Sequence, residues 1–220
     1  MDSSSKSQTQ TSKHSISPPR PELFVRIPEY SSVPPSLSTS VPYTTDPVQD
    51  VIQPIVGSFV GGRLILANRA AIPTIISKND PNELIVISLV PSMEPIVGLG
   101  ENHRTHWVHD NCSNIEQMKN IIRSNVRWIL SILTNPVMNK TIVVHCEGGV
   151  SRSVTLIAAI ILQHSYDINR PIVDYYALIE HIKAARFNST TQQHSQRTDP
   201  NFGFATLLMA FIKKGSLFAD

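Results

Sequence analysis

Residues 141–165, TIVVHCEGGVSRSVTLIAAIILQHS, constrain this chain more than any other stretch. Thr141 to His145 is a short, continuous, β-rich run, the pattern of a strand covered on both faces. Ser153 to Ser165 is apolar on every side, which predicts a buried helix packed through the middle of a domain, and it is too short to cross a bilayer. Cys146 to Arg152 must therefore turn the chain from a central strand into a central helix, and this tight connection contains a cysteine, two glycines and an arginine.

The flanking sequence supplies partners for both elements. Pro54 to Gly62 alternates and ends in glycines, which predicts a strand and a turn, while Leu84 to Val90 (LIVISLV) reads as a second central strand and Thr105 to His109 (THWVH) as a shorter one. In Ser113 to Leu133, Ile115, Met118, Ile122, Val126, Ile129 and Leu133 recur at helical steps, and Ser113 with Glu116 predicts a capping-box start. A further helix is expected to begin near Pro171, with Ile172, Tyr175, Ile179 and Ile182 on one stripe. The last is expected to open with Asp199 as cap and Pro200 in the first turn, and to close at Gly215. Such alternation predicts an α/β sandwich with a central sheet.

A chain of 220 residues holds one domain of about 150 to 170 residues plus extra segments. Residues 1–47 are dominated by Ser, Thr and Pro, too poor in apolar side chains to offset the entropy of ordering, and are expected to be a disordered tail; residues 48–220 form the domain. Within the tail, Pro21 to Tyr30 (PELFVRIPEY) is an apolar island suited to docking a partner, and Ser17 before Pro18 suits a proline-directed kinase. A plain solvated tail is the simpler alternative. With a formal net charge of +2 and both signs interspersed, neither nucleic acid nor a membrane surface is expected as a partner. Only two cysteines, no apolar N-terminal stretch and no long apolar run point to the cytoplasm, with the nucleus as an alternative.

The turn between strand and helix can do chemistry. A glycine-containing turn at the positive end of a helix dipole aims several backbone N–H groups at one point and so cradles an oxyanion such as phosphate. Gly148 and Gly149 remove side chains that would block the approach. A cysteine at the mouth of such a cradle sits where negative charge is favoured, which lowers a thiol pKa from about 8.5 to roughly 3.5–7.5 and predicts a thiolate at Cys146. Arg152, in the first helical turn, can hold two phosphate oxygens with its planar fork, which lysine reproduces poorly. Alone, Cys146 would read as a small core residue and Gly148-Gly149 as a turn. The joint presence of His145, Cys146, Gly149, Arg152 and Ser153 between strand and helix favours the chemical reading. A nucleotide-binding loop is excluded, because no Gly-Lys-Ser/Thr follows the glycines.

HCEGGVSRS (His145 to Ser153) resembles the His-Cys-x-x-Gly-x-x-Arg-Ser signature of the cysteine-dependent protein phosphatases, and its Ser-Arg-Ser ending looks most like the dual-specificity branch. PNFGF (Pro200 to Phe204), with Asn201 as a supporting residue, is similar to the segment that opens that branch's last helix, and PIVGSFVGG is more loosely similar to its first strand. The resemblance spans about Val51 to Lys214. It implies a central mixed, mostly parallel sheet flanked by helices on both faces, and hydrolysis of phosphotyrosine and phosphoserine/phosphothreonine in phosphorylated proteins without metal or other cofactor. It also implies roles. Cys146 would attack phosphorus and form a thiophosphate intermediate. Arg152 and the N–H groups of Glu147, Gly148, Gly149, Val150, Ser151 and Arg152 would bind the phosphoryl oxygens. Ser153 would hydrogen-bond the sulfur as it leaves, and His145 would orient the loop.

A leaving oxygen needs a proton, so an acid should lie on a loop ahead of the long helix. Asp110 in HWVHDNCSN meets that requirement, and the resemblance places its acid in the same region; the alternative is a turn-capping aspartate. Glu101 and Asp80 are weaker substitutes. Cys112 could approach Cys146 and form a reversible disulfide, with a buried inert thiol as the commoner alternative. Two departures from the pattern bear on substrate. The polar stretch FNSTTQQHSQRTD (residues 187–199) is inserted where the family has a few residues, and is expected to be a surface loop or flap. The phosphate loop carries Glu147 and no lysine, unlike the basic loops of inositol-lipid phosphatases. No segment resembles the phosphotyrosine-gripping loop of tyrosine-specific members, so a shallow pocket is expected. Two alternatives of function stay open: an RNA 5′-phosphatase of the same fold, and a phosphoprotein-binding module with little catalysis.

Overall fold

The computed structural model describes residues 47, 49–91, 94–187 and 198–218. All of them belong to one compact unit, Ser32–Asp220. The apolar island, Ser17 and most of the polar insertion lie outside the described residues.

The architecture is a five-stranded sheet between helices. Its strands are β1 (Gln49–Ile52), β2 (Gly62–Asn68), β3 (Leu84–Ser88), β4 (His103–Thr105) and β5 (Lys140–Cys146); the helices are α1 (Ile72–Lys78), α2 (Ile115–Leu133), α3 (Arg152–Asp167), α4 (Tyr175–Phe187) and α5 (Phe202–Lys214). Strand order is β1-β2-β5-β3-β4, antiparallel only at β1 and parallel elsewhere. The expected mixed, mostly parallel sheet is present, and β5 occupies its centre.

Alternation along the central strands divides two cores. Leu64 and Leu66 of β2, Ile85 and Ile87 of β3, and Ile142, Val144 and Cys146 of β5 face the larger core. Ile65, Ala67, Leu84, Val86 and Val143 face the smaller one, which α1 covers with Ile72 and Ile75. Successive side chains of a strand point to opposite faces, so Cys146 is delivered to the helix-rich side and its neighbour His145 to the other. As expected from its all-round apolar composition, α3 is buried from Arg152 to Leu162 and packs against α2, α4, α5 and the sheet.

Several expectations need correction. Pro54 to Gly61 is irregular rather than a strand; the strand starts at Gly62, and β1 lies before the stretch. Asn68 rather than a glycine turn ends β2, its side chain accepting from Ala71 N at 3.1 Å and starting the turn into α1. The THWVH strand ends at Thr105, because Trp107 and His109 are exposed and only His103 to Thr105 pair with β3. No capping box opens α2: Asn111 accepts from Ser113 N at 3.1 Å and caps a short 3-10 turn that leads into the helix. The fourth helix begins at Tyr175, where Asp174 accepts from Tyr176 N at 2.8 Å; Pro171 to Asp174 is not helical. At α5 the cap is Asn201, whose Oδ1 accepts from Phe204 N at 3.0 Å, and not Asp199. Gly215 closes α5 in the left-handed conformation, at φ +67°.

Candidate active site

The loop from Cys146 to Arg152 leaves the carboxyl end of the central strand, where crevices of open α/β sheets lie. Five of its carbonyls are bound. Cys146 O accepts from His145 Nδ1 (3.4 Å), Glu147 O from Arg69 N (3.1 Å), Gly149 O from Arg186 Nη1 (2.9 Å), Val150 O from Asp199 N (3.1 Å), and Ser151 O from Thr155 N and Oγ1 (both 2.8 Å). In a planar trans peptide the N–H points opposite to the C=O. Fixing these carbonyls therefore aims the N–H groups of Glu147, Gly148, Val150, Ser151 and Arg152 the other way, which is what an anion cradle requires. Gly149 has φ +66°, and a Cβ there would lie 2.8 Å from Ala67 O, so the loop is pressed onto the end of β2 where no side chain fits.

Around this loop the chemically active side chains converge. The Cys146 sulfur is 1% exposed and lies 3.2 Å from Ser153 Oγ. Arg152 opens α3 with its side chain buried; Nη1 donates to Val108 O at 3.1 Å, while Nε makes no hydrogen bond and lies 3.7 Å from Asp110 Oδ2. Asp110 Oδ1 accepts from Ser151 Oγ at 2.7 Å and from Asn201 Nδ2 at 2.8 Å, and Asn201 N donates to Ser151 Oγ at 3.0 Å. Asp110, Ser151 and Asn201 thus form a closed triangle that ties the loop before α2 and the cap of α5 to the phosphate loop. By contrast, Asp80 accepts from Asn82 N in its own turn, and Glu101 sits in an exposed 3-10 turn at Gly100–Asn102. Cys112 and Cys146 are both free thiols, and Cys112 is exposed rather than buried.

His145 is held from the opposite face of the sheet by groups that the sequence did not single out. His103 Nδ1 accepts from Ile96 N at 3.0 Å, so in the neutral ring Nε2 carries the proton and donates to Ser88 Oγ at 2.8 Å. The Ser88 hydroxyl then donates to His145 Nε2 at 2.7 Å, leaving the Nδ1 proton for the Cys146 carbonyl. Burial, with smaller contributions from the positive charges of Arg69 and Arg152, lowers the His145 pKa to about 4. Burial also lowers the pKa of His103 and His106. An unfolded chain protonates this imidazole below about 6.5, whereas the folded chain resists until about 4. Stability from His145 is therefore complete above pH 6.5 and is lost as pH falls toward 4, by about 3 kcal/mol. Urea unfolding across this window should show the loss, and His145→Gln should flatten that part of the curve; an unchanged slope would contradict it.

One ion pair behind the loop was also missed. Asp50 of β1 and Arg186 of α4, both 2% exposed, meet at 3.1 Å between Oδ2 and Nε. The sequence held no sign of it, because the partners are 136 positions apart. Of the insertion, residues 188–197 lie outside the described residues, while Thr198 is buried and Asp199 reaches Val150. Among the described residues no group of three His, Cys, Asp or Glu side chains could hold a metal ion, and no helix is long and apolar enough to cross a membrane.

The family model for protein-tyrosine phosphatase matches residues 99–196, a span that includes Asp110 and the whole loop from Cys146 to Arg152. The match covers 98 of the 220 residues, and over that span the chain is similar to the protein-tyrosine phosphatases. No curated protein sequence matches it significantly. Among solved structures it is similar to the tyrosine phosphatase OH1 of the Orf virus, with 13% identity, TM-score 0.48 and coverage of 73% of this chain and 88% of that one. It is also similar to the Yvh1 phosphatase domain of Chaetomium thermophilum (17%, TM-score 0.47, coverage 75% and 96%) and to DUSP15 (20%, TM-score 0.46, coverage 71% and 86%).

Proposed function

We propose that this chain is a metal-independent dual-specificity protein phosphatase that removes phosphate from tyrosine and serine/threonine side chains of phosphorylated proteins. The observation that carries the reading is the buried Arg152 Nε, a donor with no hydrogen bond, at the end of a loop that begins at Cys146 and whose amides are turned away from bound carbonyls. A phosphoryl group binding there would satisfy both sets of donors.

In this mechanism the Cys146 sulfur attacks phosphorus, forming an S–P bond as the P–O bond to the side chain breaks. Asp110 supplies the proton that the departing oxygen takes. Water then attacks phosphorus, giving its proton to the Asp110 carboxylate left by the first step, the S–P bond breaks, and the Ser153 hydroxyl donates to the returning sulfur. Arg152 and the loop amides hold the equatorial oxygens throughout. Asp110 is kept in place by Ser151 and Asn201, which gives Asn201 a positioning role besides its cap. The signature ending in Ser-Arg-Ser supports the dual-specificity branch, phosphorylated proteins in the cytoplasm are the substrate class, and the role is in signalling. The tail serves as the docking segment for a partner such as a kinase.

The test is phosphate release from phosphotyrosine and phosphothreonine peptides by the full chain in the presence of a chelator. Release from both supports the proposal. Preference for triphosphate-ended RNA, or tight phosphopeptide binding without turnover, would overturn it. Within the same assay Asp110→Asn should lose about 10²- to 10⁴-fold in kcat on phosphopeptides. An acid matters most where the leaving oxygen is most basic, so Asp110→Asn should lose far more on phosphopeptides than on p-nitrophenyl phosphate. Equal losses on both would assign the acid elsewhere.

A further inference from the structure

The peptide unit joining Gly149 to Val150 is the weak point of the cradle. A flip of this unit rotates ψ of Gly149 and φ of Val150, and glycine, lacking a Cβ, opposes its share of that rotation less than other residues; the flip would turn the carbonyl inward and the N–H outward. A carbonyl facing the phosphoryl oxygens would repel them where the amide would bind them. Neighbouring carbonyls are held by backbone groups, Glu147 O by Arg69 N and Val150 O by Asp199 N. At Gly149 the tie is a charged side chain, Arg186 Nη1 at 2.9 Å, reaching from α4 with only 2% exposure. Asp50, equally buried on β1, receives Arg186 Nε at 3.1 Å and fixes the direction of the guanidinium. Asp50 pairs in register with Leu66, next to the Ala67 carbonyl against which Gly149 is pressed. The pair thus grips the loop at the peptide that follows the glycine pressed onto the end of β2.

We propose that Arg186, oriented by Asp50, is a positioning residue of the phosphate loop: it holds the Gly149 carbonyl outward and thereby aims the Val150 N–H at the bound oxyanion. The proposal rests on the phosphate-loop reading of residues 146–152. Arg186 touches no substrate, and its effect passes through one peptide plane. A planar guanidinium can serve Asp50 and Gly149 together through Nε and Nη1, whereas a lysine at the same position has one nitrogen for two acceptors. Arg186 stands just before the insertion 187–199 and Asp199 ends it, and these two residues hold consecutive carbonyls of the loop, at Gly149 and Val150.

The experiment uses the full chain and orthovanadate, an oxyanion whose affinity does not depend on turnover. Vanadate inhibition constants, vanadate binding by calorimetry, and kcat and KM on p-nitrophenyl phosphate are measured for wild type, Arg186→Lys and Asp50→Asn, each well below its melting temperature. Loss of a hydrogen bond from a charged donor predicts about 10- to 100-fold weaker vanadate binding in Arg186→Lys. KM should rise in parallel, and Asp50→Asn should fall in between. A purely structural role would lower the melting temperature and leave vanadate affinity within about twofold of wild type, which would overturn the proposal. Should Arg186→Lys fail to fold, Asp50→Asn decides, since it keeps both side-chain volumes and removes the charge that draws Nε; unchanged affinity there overturns the proposal as well. Wild type that binds vanadate but turns over no phosphate ester would overturn the phosphatase reading alone, provided the order of affinities is kept. Wild type that binds no vanadate overturns both.

Discussion

Cys146→Ser is expected to lower turnover of p-nitrophenyl phosphate by about 10⁴-fold or more, while the fold stays that of wild type and vanadate binds more weakly because vanadium loses its sulfur ligand. The reason lies in the atom rather than in its surroundings. A hydroxyl oxygen is a far poorer nucleophile than a cysteine sulfur, so serine presents a sluggish group at the point of attack. Its surroundings are unchanged by the substitution: the position is 1% exposed, Ser153 stands at 3.2 Å, and the loop carbonyls are bound by groups that Cys146 does not supply. The readout is kcat beside a vanadate titration. Turnover within about tenfold of wild type would remove Cys146 from the reaction.

Arg152→Lys is the second large effect, expected to cost about 10²- to 10³-fold in kcat/KM. The guanidinium already has one edge committed, through Nη1 to Val108 O, and a second nitrogen near Asp110. It can keep those contacts and still offer two parallel N–H groups to a phosphoryl group. A lysine ammonium keeps the charge but must choose among the Val108 carbonyl, the Asp110 carboxyl and the substrate, so geometry rather than charge is lost. Steady-state kinetics with both p-nitrophenyl phosphate and a phosphopeptide should show the loss in kcat as well as KM. A variant within about threefold of wild type would mean that charge alone suffices and that the fork does not act on the transferring group.

How far the sequence foretold this arrangement differs by element. Continuous aliphatic runs disclosed β3 and β5, and all-round apolarity disclosed α3, because the buried centre of an α/β sheet leaves little freedom of composition. The loop between them followed, since five residues between two buried elements fix where each side chain starts. Edges were harder. In β1 exposed and buried residues alternate over only four positions, and Pro54 to Gly61 alternates in sequence yet hydrogen-bonds as an irregular segment, with Gly61 N on Leu133 O. Caps were misplaced by two residues where several candidates adjoined: Asn111 over Ser113, Asn201 over Asp199. Here the deciding factor is which side chain reaches a free N–H, and that depends on the entry angle of the chain. Groups holding the loop from behind were invisible for another reason. Ser88 sits at the end of an aliphatic strand, His103 on a short edge strand and Arg186 near the end of a helix; only folding brings them to His145 and Gly149. A polar residue in a buried strand, as at Ser88, was the one available signal.

Rapid mixing of wild-type chain with a phosphorylated substrate, followed by an acid quench and mass spectrometry of the peptide bearing Cys146, addresses the chemistry most directly. A phosphate adduct on the Cys146 sulfur, formed at least as fast as steady-state turnover and absent in Cys146→Ser, is the predicted result. Turnover with no adduct on that sulfur, or an adduct on another residue, would contradict the mechanism.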